Sequence, residues 1–429
     1  MSTPQLYRKT ARRAITDRGI SRKKRGAAAH GAAYIPRVIY LDNAASTRPA
    51  PEVLAATRAV EDAFFANPAS AHGLGAAAAR ALEAARGEVA SALGAEAAEV
   101  VFTGGGTEAN ALGVLGAARA ARGRHLVVSG LEHPAVARTA ERLAREGYEL
   151  SVVAPTPAGV VRAEDVAAAV RPDTAVVALM LVNNELGTIQ PVEEVARALA
   201  ASGAPPSKRP HLHVDAVQAF GLLRVRPRAL GADSLALSAH KVHGPKGVGA
   251  LWIRAGARVE PLWDGGRQER GLRSGTENVA GAVGLGRAAA LAVEAQEAGT
   301  AAQIEAERDR LERDGLAAVT VLIPGARRTV EGVPRAPHIA SLAFPGLPAE
   351  PLLHALEARG VYASAGSACA SRTRGPSAVL KAIGVDDHTA VLRFSLARTT
   401  TPADVEAAVE ALFGAVEELA PLAKTSSRV

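Results

Sequence analysis

From about residue 76 the chain alternates short apolar runs with alanine-rich stretches. Runs at 100–103, 126–129, 150–153, 175–182, 212–215, 234–238 and 250–253 predict strands, and several are continuously apolar rather than alternating. Continuous runs suit strands buried on both faces of a mainly parallel sheet. Residues 76–92 and 108–121 predict helices between them. The alternation predicts an α/β fold, a mainly parallel seven-stranded sheet with helices on both faces. Beyond about residue 290 the pattern changes. A long helical stretch through Arg313 leads to a strand at 339–344, a helix at 351–359 and strands at 361–364 and 391–396, which predict a smaller α+β domain. Thr401 as N-cap, Pro402 at the first helical position and Asp404 in the first turn mark a last helix.

Composition alters this picture at one end. The chain has 429 residues, 48% apolar and 3% aromatic, enough for two or three folded units. Residues 1–36 hold nine basic side chains and one acid, so the whole-chain charge of +7 becomes −1 over residues 37–429. The body is therefore nearly neutral, and the basic character belongs to an extension expected to be disordered. Its Arg-rich, acid-poor make-up also resembles an organelle transit peptide in part, which leaves an organellar location as the alternative to a cytoplasmic one. A basic arm of this kind gains salt-dependent affinity for phosphates, so any nucleic-acid binding is expected through residues 1–36 alone. No apolar stretch reaches 18 residues, and no membrane span is expected. The single cysteine, Cys369, excludes an intrachain disulfide.

Polar residues gather just after the predicted strands. Thr107 follows the first, His133 the second, and Asn183, Asn184 and Glu185 the fourth; Asp215 ends the fifth with Gln218 three residues on, and His240 and Lys241 follow the sixth. Ligands of open parallel sheets bind beyond the carboxyl ends of the strands, so five loops are expected to deliver polar groups to one edge. Gly104-Gly105-Gly106-Thr107 offers free backbone N–H groups to a phosphate, or simply makes a turn. In Ser238-Ala239-His240-Lys241 the hydroxyl and imidazole can donate to a phosphate, and the amine can form an imine with an aldehyde. Asp215, at the end of an apolar strand, needs a partner: a pyridinium N–H, or the N-terminus of the next helix. His133 can stack on a flat ring or shuttle protons, or be an ordinary loop histidine.

With these residues in view, the chain resembles the cysteine desulfurases among the class V pyridoxal-phosphate enzymes. The resemblance rests on Tyr40-Leu41-Asp42-Asn43-Ala44-Ala45, Asn67-Pro68-Ala69-Ser70-Ala71-His72, the stretch 102–110, Asn183-Asn184-Glu185-Leu186-Gly187, His213-Val214-Asp215-Ala216-Val217-Gln218, the stretch 238–247, Gly271-Leu272-Arg273-Ser274-Gly275-Thr276-Glu277-Asn278, Gly366-Ser367-Ala368-Cys369 and Leu392-Arg393-Phe394-Ser395-Leu396. It covers residues 38 to 415. It implies the type I pyridoxal-phosphate fold and that cofactor. The expected division is a large cofactor-binding domain at 50–291 and a small domain from 37–49 and 292–429.

The roles that follow are implied by the resemblance. Lys241 carries pyridoxal 5′-phosphate and moves protons at the substrate Cα. Asp215 keeps the pyridine nitrogen protonated, Gln218 contacts the ring hydroxyl oxygen, and His133 stacks on the ring and acts as a catalytic acid/base. Gly106, Thr107, Ser238 and His240 bind the phosphate. Thr276 reaches the phosphate held in a neighbouring subunit, which implies a homodimer with shared sites. Asn184 and Arg393 hold the substrate carboxylate, Asn43 is a further substrate-binding residue, and Asn184 also contacts the cofactor. Cys369 takes sulfur from L-cysteine as a persulfide, leaving L-alanine. Arg372 and Arg374 favour its thiolate. The stretch from Cys369 to Pro376 resembles the long-loop sort, which delivers sulfur to acceptor proteins such as an iron–sulfur scaffold or a tRNA-thiolation carrier. No resident metal is implied, although Cys369 is a candidate transient iron–sulfur ligand. A selenocysteine lyase and an aminotransferase of the same fold are the rival activities.

Overall fold

The computed structural model describes residues 38–201, 209–366 and 377–426. The basic extension, Cys369, Arg372 and Arg374 lie outside the described residues. Twelve strands are described: β1 Ile39–Tyr40, β2 Val100–Thr103, β3 His125–Ser129, β4 Glu149–Val153, β5 Thr174–Met180, β6 His211–Asp215, β7 Ser234–Ser238, β8 Gly249–Ile253, β9 Arg327–Arg328, β10 Ile339–Pro345, β11 Val361–Tyr362 and β12 Thr389–Ser395. Seven form one sheet in the order β2-β8-β7-β6-β5-β3-β4, with helices packed against it. Only β8 runs antiparallel to its neighbours, β2 and β7. Every predicted strand of the first domain is there, within one or two residues.

Two features of this sheet place chemistry. The strand order reverses between β3 and β5, which opens a crevice beyond their carboxyl ends. And because β7 and β8 are antiparallel neighbours, their connection needs no crossover helix. It is the short segment carrying His240 and Lys241, held at the sheet's edge by the Ala239 N–H bonded to the Val248 carbonyl.

A second apolar core joins β10 and β12 to the helices Thr300–Val319, Ala349–Ala358 and Pro402–Ser426. Strands β9, β10 and β12 form an antiparallel sheet, and β1 pairs in parallel with β11. Ile39 and Leu41 sink into this core. The helix expected to run unbroken through Arg313 is two helices, Val279–Glu297 and Thr300–Val319. The break is Gly299, whose φ of 72° lies where side-chain-bearing residues are disfavoured. The strand expected at 361–364 is only β11, with Ser364 forming an isolated bridge to Arg393. The helix expected at 108–121 begins at Gly106 and contains a π-turn at Leu112–Gly116.

Candidate active site

The loops after β2, β3, β5, β6 and β7 converge on one cavity of about 220 Å³. Gly106, Thr107, His133, Asn184, Asp215, Gln218, Ser238, His240, Lys241 and Arg393 all line it. The Lys241 ammonium donates to the Ala44 and Ala45 carbonyls, which come from the segment after β1. Asp215 is buried; its Oδ1 accepts the Val217 N–H at 2.9 Å and its Oδ2 the Asn110 amide at 2.7 Å. Burial raises its carboxyl above the ordinary value, against the opposing pull of His133, the Val217 N–H, Asn110 and Lys241.

His133 caps the helix Pro134–Arg145 by accepting the Ala135 N–H on Nδ1, which leaves a neutral ring's proton on Nε2. Burial and the Lys241 charge hold that ring below its usual range, against the pull of Asp215. His240 is held down to about 4, by burial and by Lys241 and Lys246. It is therefore a neutral hydrogen-bonding group at ordinary pH. The Ser238 hydroxyl is buried with no hydrogen-bond partner among the described residues.

Three predicted residues stand differently from expectation. Asn43 does not line this cavity. Its amide donates to the Tyr40 and Ser395 carbonyls, and it borders a separate apolar gap behind Lys241. Thr276 is exposed on the loop after β8, away from its own chain's cavity. Arg393 lines the cavity but is almost wholly buried, pairing with Asp42 at 2.7 Å and donating to the Asn184 carbonyl at 2.7 Å. Its Nε has no partner among the described residues.

A class V aminotransferase model matches residues 39–408. The chain belongs to that family. Cysteine desulfurases are similar to it along nearly their whole length. It is 43% identical to a cysteine desulfurase of Cereibacter sphaeroides over 90% of this chain and 97% of that one. It is 38% identical to the cysteine desulfurase IscS of Methanosarcina thermophila over 89% and 93%. Among solved structures, a NifS-like protein superposes with a TM-score of 0.80 at 34% identity, covering 89% of this chain and 100% of that one. SspA in complex with cysteine superposes at 0.69 and 32%, covering 83% and 98%.

Class V aminotransferases depend on pyridoxal phosphate, and the cavity can be tested for fit to that group. The buried Ser238 hydroxyl without a partner, facing the glycine turn at 104–106, is a vacant donor where an anion fits. A primary amine and a buried carboxylate sit in the same cavity, as an aldehyde and a ring nitrogen require. The residues fit the group.

Several residues that shape the site have no role assigned from sequence, Asn183 and Glu185 being noted there only as polar residues after a strand. Asp42 neutralises Arg393. Asn110 holds Asp215. Asn183 builds its turn by accepting the Glu185 and Leu186 N–H groups. Glu185 is buried and accepts the Ser377 hydroxyl at 2.5 Å; a Cβ on Gly366 would lie 3.3 Å from the same carboxylate oxygen. Both ends of the segment that contains Cys369 therefore meet beside Asn184. Glu132 is buried behind His133 and pushed up to about 8 by burial and by Asp215. Except for Glu132, these residues fall within or next to the stretches that carried the family resemblance; only their contacts reveal what they do.

Proposed function

We propose that the chain is a pyridoxal-phosphate-dependent cysteine desulfurase that moves sulfur from L-cysteine to Cys369 and releases L-alanine. The observation that carries this reading is the meeting of Lys241, Asp215, His133 and the unpartnered Ser238 hydroxyl in one cavity. It is supported by cysteine desulfurases being the similar proteins of nearly equal length.

Lys241 holds the cofactor through its amine. When bound, pyridoxal phosphate supplies an electron sink conjugated to the substrate Cα. Asp215 offers the negative charge that keeps the ring nitrogen protonated. Ser238, Thr107, His240 and the Gly106 backbone hold the phosphate. Gln218 and His133 would contact the ring, and His133, its Nδ1 engaged by the Ala135 N–H, would offer an Nε2 proton. Arg393, with Asn184, receives the substrate carboxylate. Its existing pair with Asp42 fixes the guanidinium before substrate arrives. The Lys241 amine would take and return the proton at the substrate Cα. The Cys369 thiolate attacks the substrate sulfur: the carbon–sulfur bond breaks, a sulfur–sulfur bond forms on Cys369, and the electron pair left on Cβ takes a proton to complete alanine. Glu185 anchors the base of the Cys369 segment beside the cavity. We further propose a cytoplasmic homodimer in which Thr276 completes the partner's phosphate site, with an iron–sulfur scaffold or a tRNA-thiolation carrier as acceptor.

Two variants test the reading. Lys241→Ala should abolish alanine formation and the borohydride-sensitive visible absorption of the purified protein. Cys369→Ala should remove the cysteine-dependent persulfide from the protein while leaving that absorption intact. Persulfide persisting on Cys369→Ala would refute the sulfur assignment.

A further inference from the structure

Strand β6 presents His211, His213 and Asp215 at alternate positions, so all three face the same side of the sheet. On that side they are joined by hydrogen bonds. His211 Nε2 lies 2.7 Å from the Ser234 hydroxyl, and that hydroxyl lies 2.8 Å from His213 Nδ1. His213 Nε2 lies 2.9 Å from the Asn110 side-chain carbonyl, whose amide nitrogen donates to Asp215. Ser234, His213, Asn110 and Asp215 are all buried.

The chain has a direction. A carboxylate can only accept, so Asn110 must turn its NH₂ to Asp215 and its carbonyl to His213. That carbonyl requires a proton on His213 Nε2. Nδ1 must then accept from Ser234, whose oxygen in turn accepts from His211 Nε2–H. Reversing any link reverses all of them and sets the Asn110 carbonyl against the Asp215 oxygen, which is tolerable only if Asp215 is protonated. Burial keeps both imidazoles neutral, His213 down to about 3 and His211 to about 4, so each ring has one donor and one acceptor as the chain demands.

The neighbouring helix is built around the same ring. Gly113 lies in the π-turn at Leu112–Gly116, and a Cβ there would stand 2.3 Å from His213 Cε1 and Nδ1. An irregular turn and a residue without a side chain together let the helix backbone lie against the imidazole.

We propose that Ser234, His213 and Asn110 are positioning residues whose directed hydrogen-bond chain holds Asp215 in its ionised, accepting form. The proposal rests on the reading of Asp215 as partner of the cofactor ring nitrogen. It gives a role to residues behind Asp215, of which Asn110 borders the cavity and Ser234 and His213 do not.

The test uses the full-length, cofactor-loaded protein. Nitrogen-15 NMR of labelled histidine should find His213 as the neutral Nε2–H tautomer from pH 6 to 8. A neutral Nδ1–H tautomer, or an imidazolium in that range, overturns the proposal. The second measurement is the pH midpoint of the bound cofactor's visible absorption. A ring nitrogen that loses its proton withdraws fewer electrons, so the midpoint rises. His213→Leu removes the donor to Asn110 and should raise the midpoint by about one pH unit, a tenfold change in the equilibrium. His213→Gln restores an N–H near the Nε2 position and should bring it back towards the wild-type value. If Asp215→Asn moves the midpoint and His213→Leu does not, the proposal fails while the reading of Asp215 stands. If Asp215→Asn itself leaves the midpoint unmoved, the reading of Asp215 fails first.

Discussion

Ser238 carries a buried hydroxyl with nothing to bond to among the described residues. A hydrogen bond that the free protein does not make cannot be lost by mutation, so Ser238→Ala should leave the thermal stability of the cofactor-free protein unchanged or slightly raised. In the role proposed for Ser238 the same change removes a donor to a charged phosphate, a bond of about 1.5–3 kcal/mol, and should weaken pyridoxal-phosphate binding by roughly 10- to 100-fold. Calorimetric unfolding and a cofactor titration on the same variant separate the two effects. Residues with this character were legible in the sequence, because reactive groups placed after apolar strands have few structural explanations. Their supports were not. Asn110 and His213 lie in or beside helix- and strand-forming stretches where an ordinary structural role is the natural reading. Asn43, expected at the substrate, stands outside the cavity lining. A short polar side chain next to a reactive segment can face the cavity or tie down its own backbone, and here its amide serves two carbonyls.

Among the elements, apolar continuity located the buried strands well, since each is covered on both faces. Helix ends were readable where capping chemistry was explicit. Thr401 and Asp404 form a reciprocal cap: the Asp404 N–H donates to the Thr401 hydroxyl, and the Thr401 N–H to the Asp404 carboxylate. Thr401→Ala should cost about 1 kcal/mol of stability with no change in cofactor affinity, measured by denaturant unfolding. The break at Gly299 escaped notice because alanine-rich sequence on both sides masks a single left-handed residue. The π-turn at Leu112–Gly116 left no trace in the hydrophobic pattern, since its cause is a histidine ring about a hundred positions away.

For the molecule as a whole, buried titratable groups set opposing pH limits. His211, His213 and His338 are neutral when folded, pushed to about 4, 3 and 3 by burial from an ordinary 6.5. Below pH 6.5 the unfolded chain takes up protons that the folded chain refuses, so stability should fall as pH drops towards 4. Glu132 has the opposite sign. Its folded value of about 8 exceeds the ordinary 4.5, so the folded chain keeps a proton that the unfolded chain releases, and stability falls as pH rises across that window. Glu132→Gln retains an acceptor for the Met180 N–H and should become progressively more stable than the parent from pH 5 to 8. Melting temperatures across pH 4–9 check both limbs. We also propose that the molecule divides into a large unit at 50–291 and a small one from 37–49 and 292–429. Supporting this, Ile39 and Leu41 share an apolar core mainly with residues beyond 300.

The first described residues close the site from behind. Asp42 meets Arg393 and Asn43 meets Ser395, contacts that span 351 and 352 positions. The carbonyls of Ala44 and Ala45 meanwhile hold the Lys241 ammonium. On the ribosome this opening segment emerges early and has no mate until β12 is made. At about 5–20 residues per second the wait is roughly 20–70 s, during which the large sheet can form but the Lys241 amine, proposed to take up the cofactor, lacks its final setting. Loading with pyridoxal phosphate is therefore expected to follow release of the finished chain rather than to accompany its synthesis.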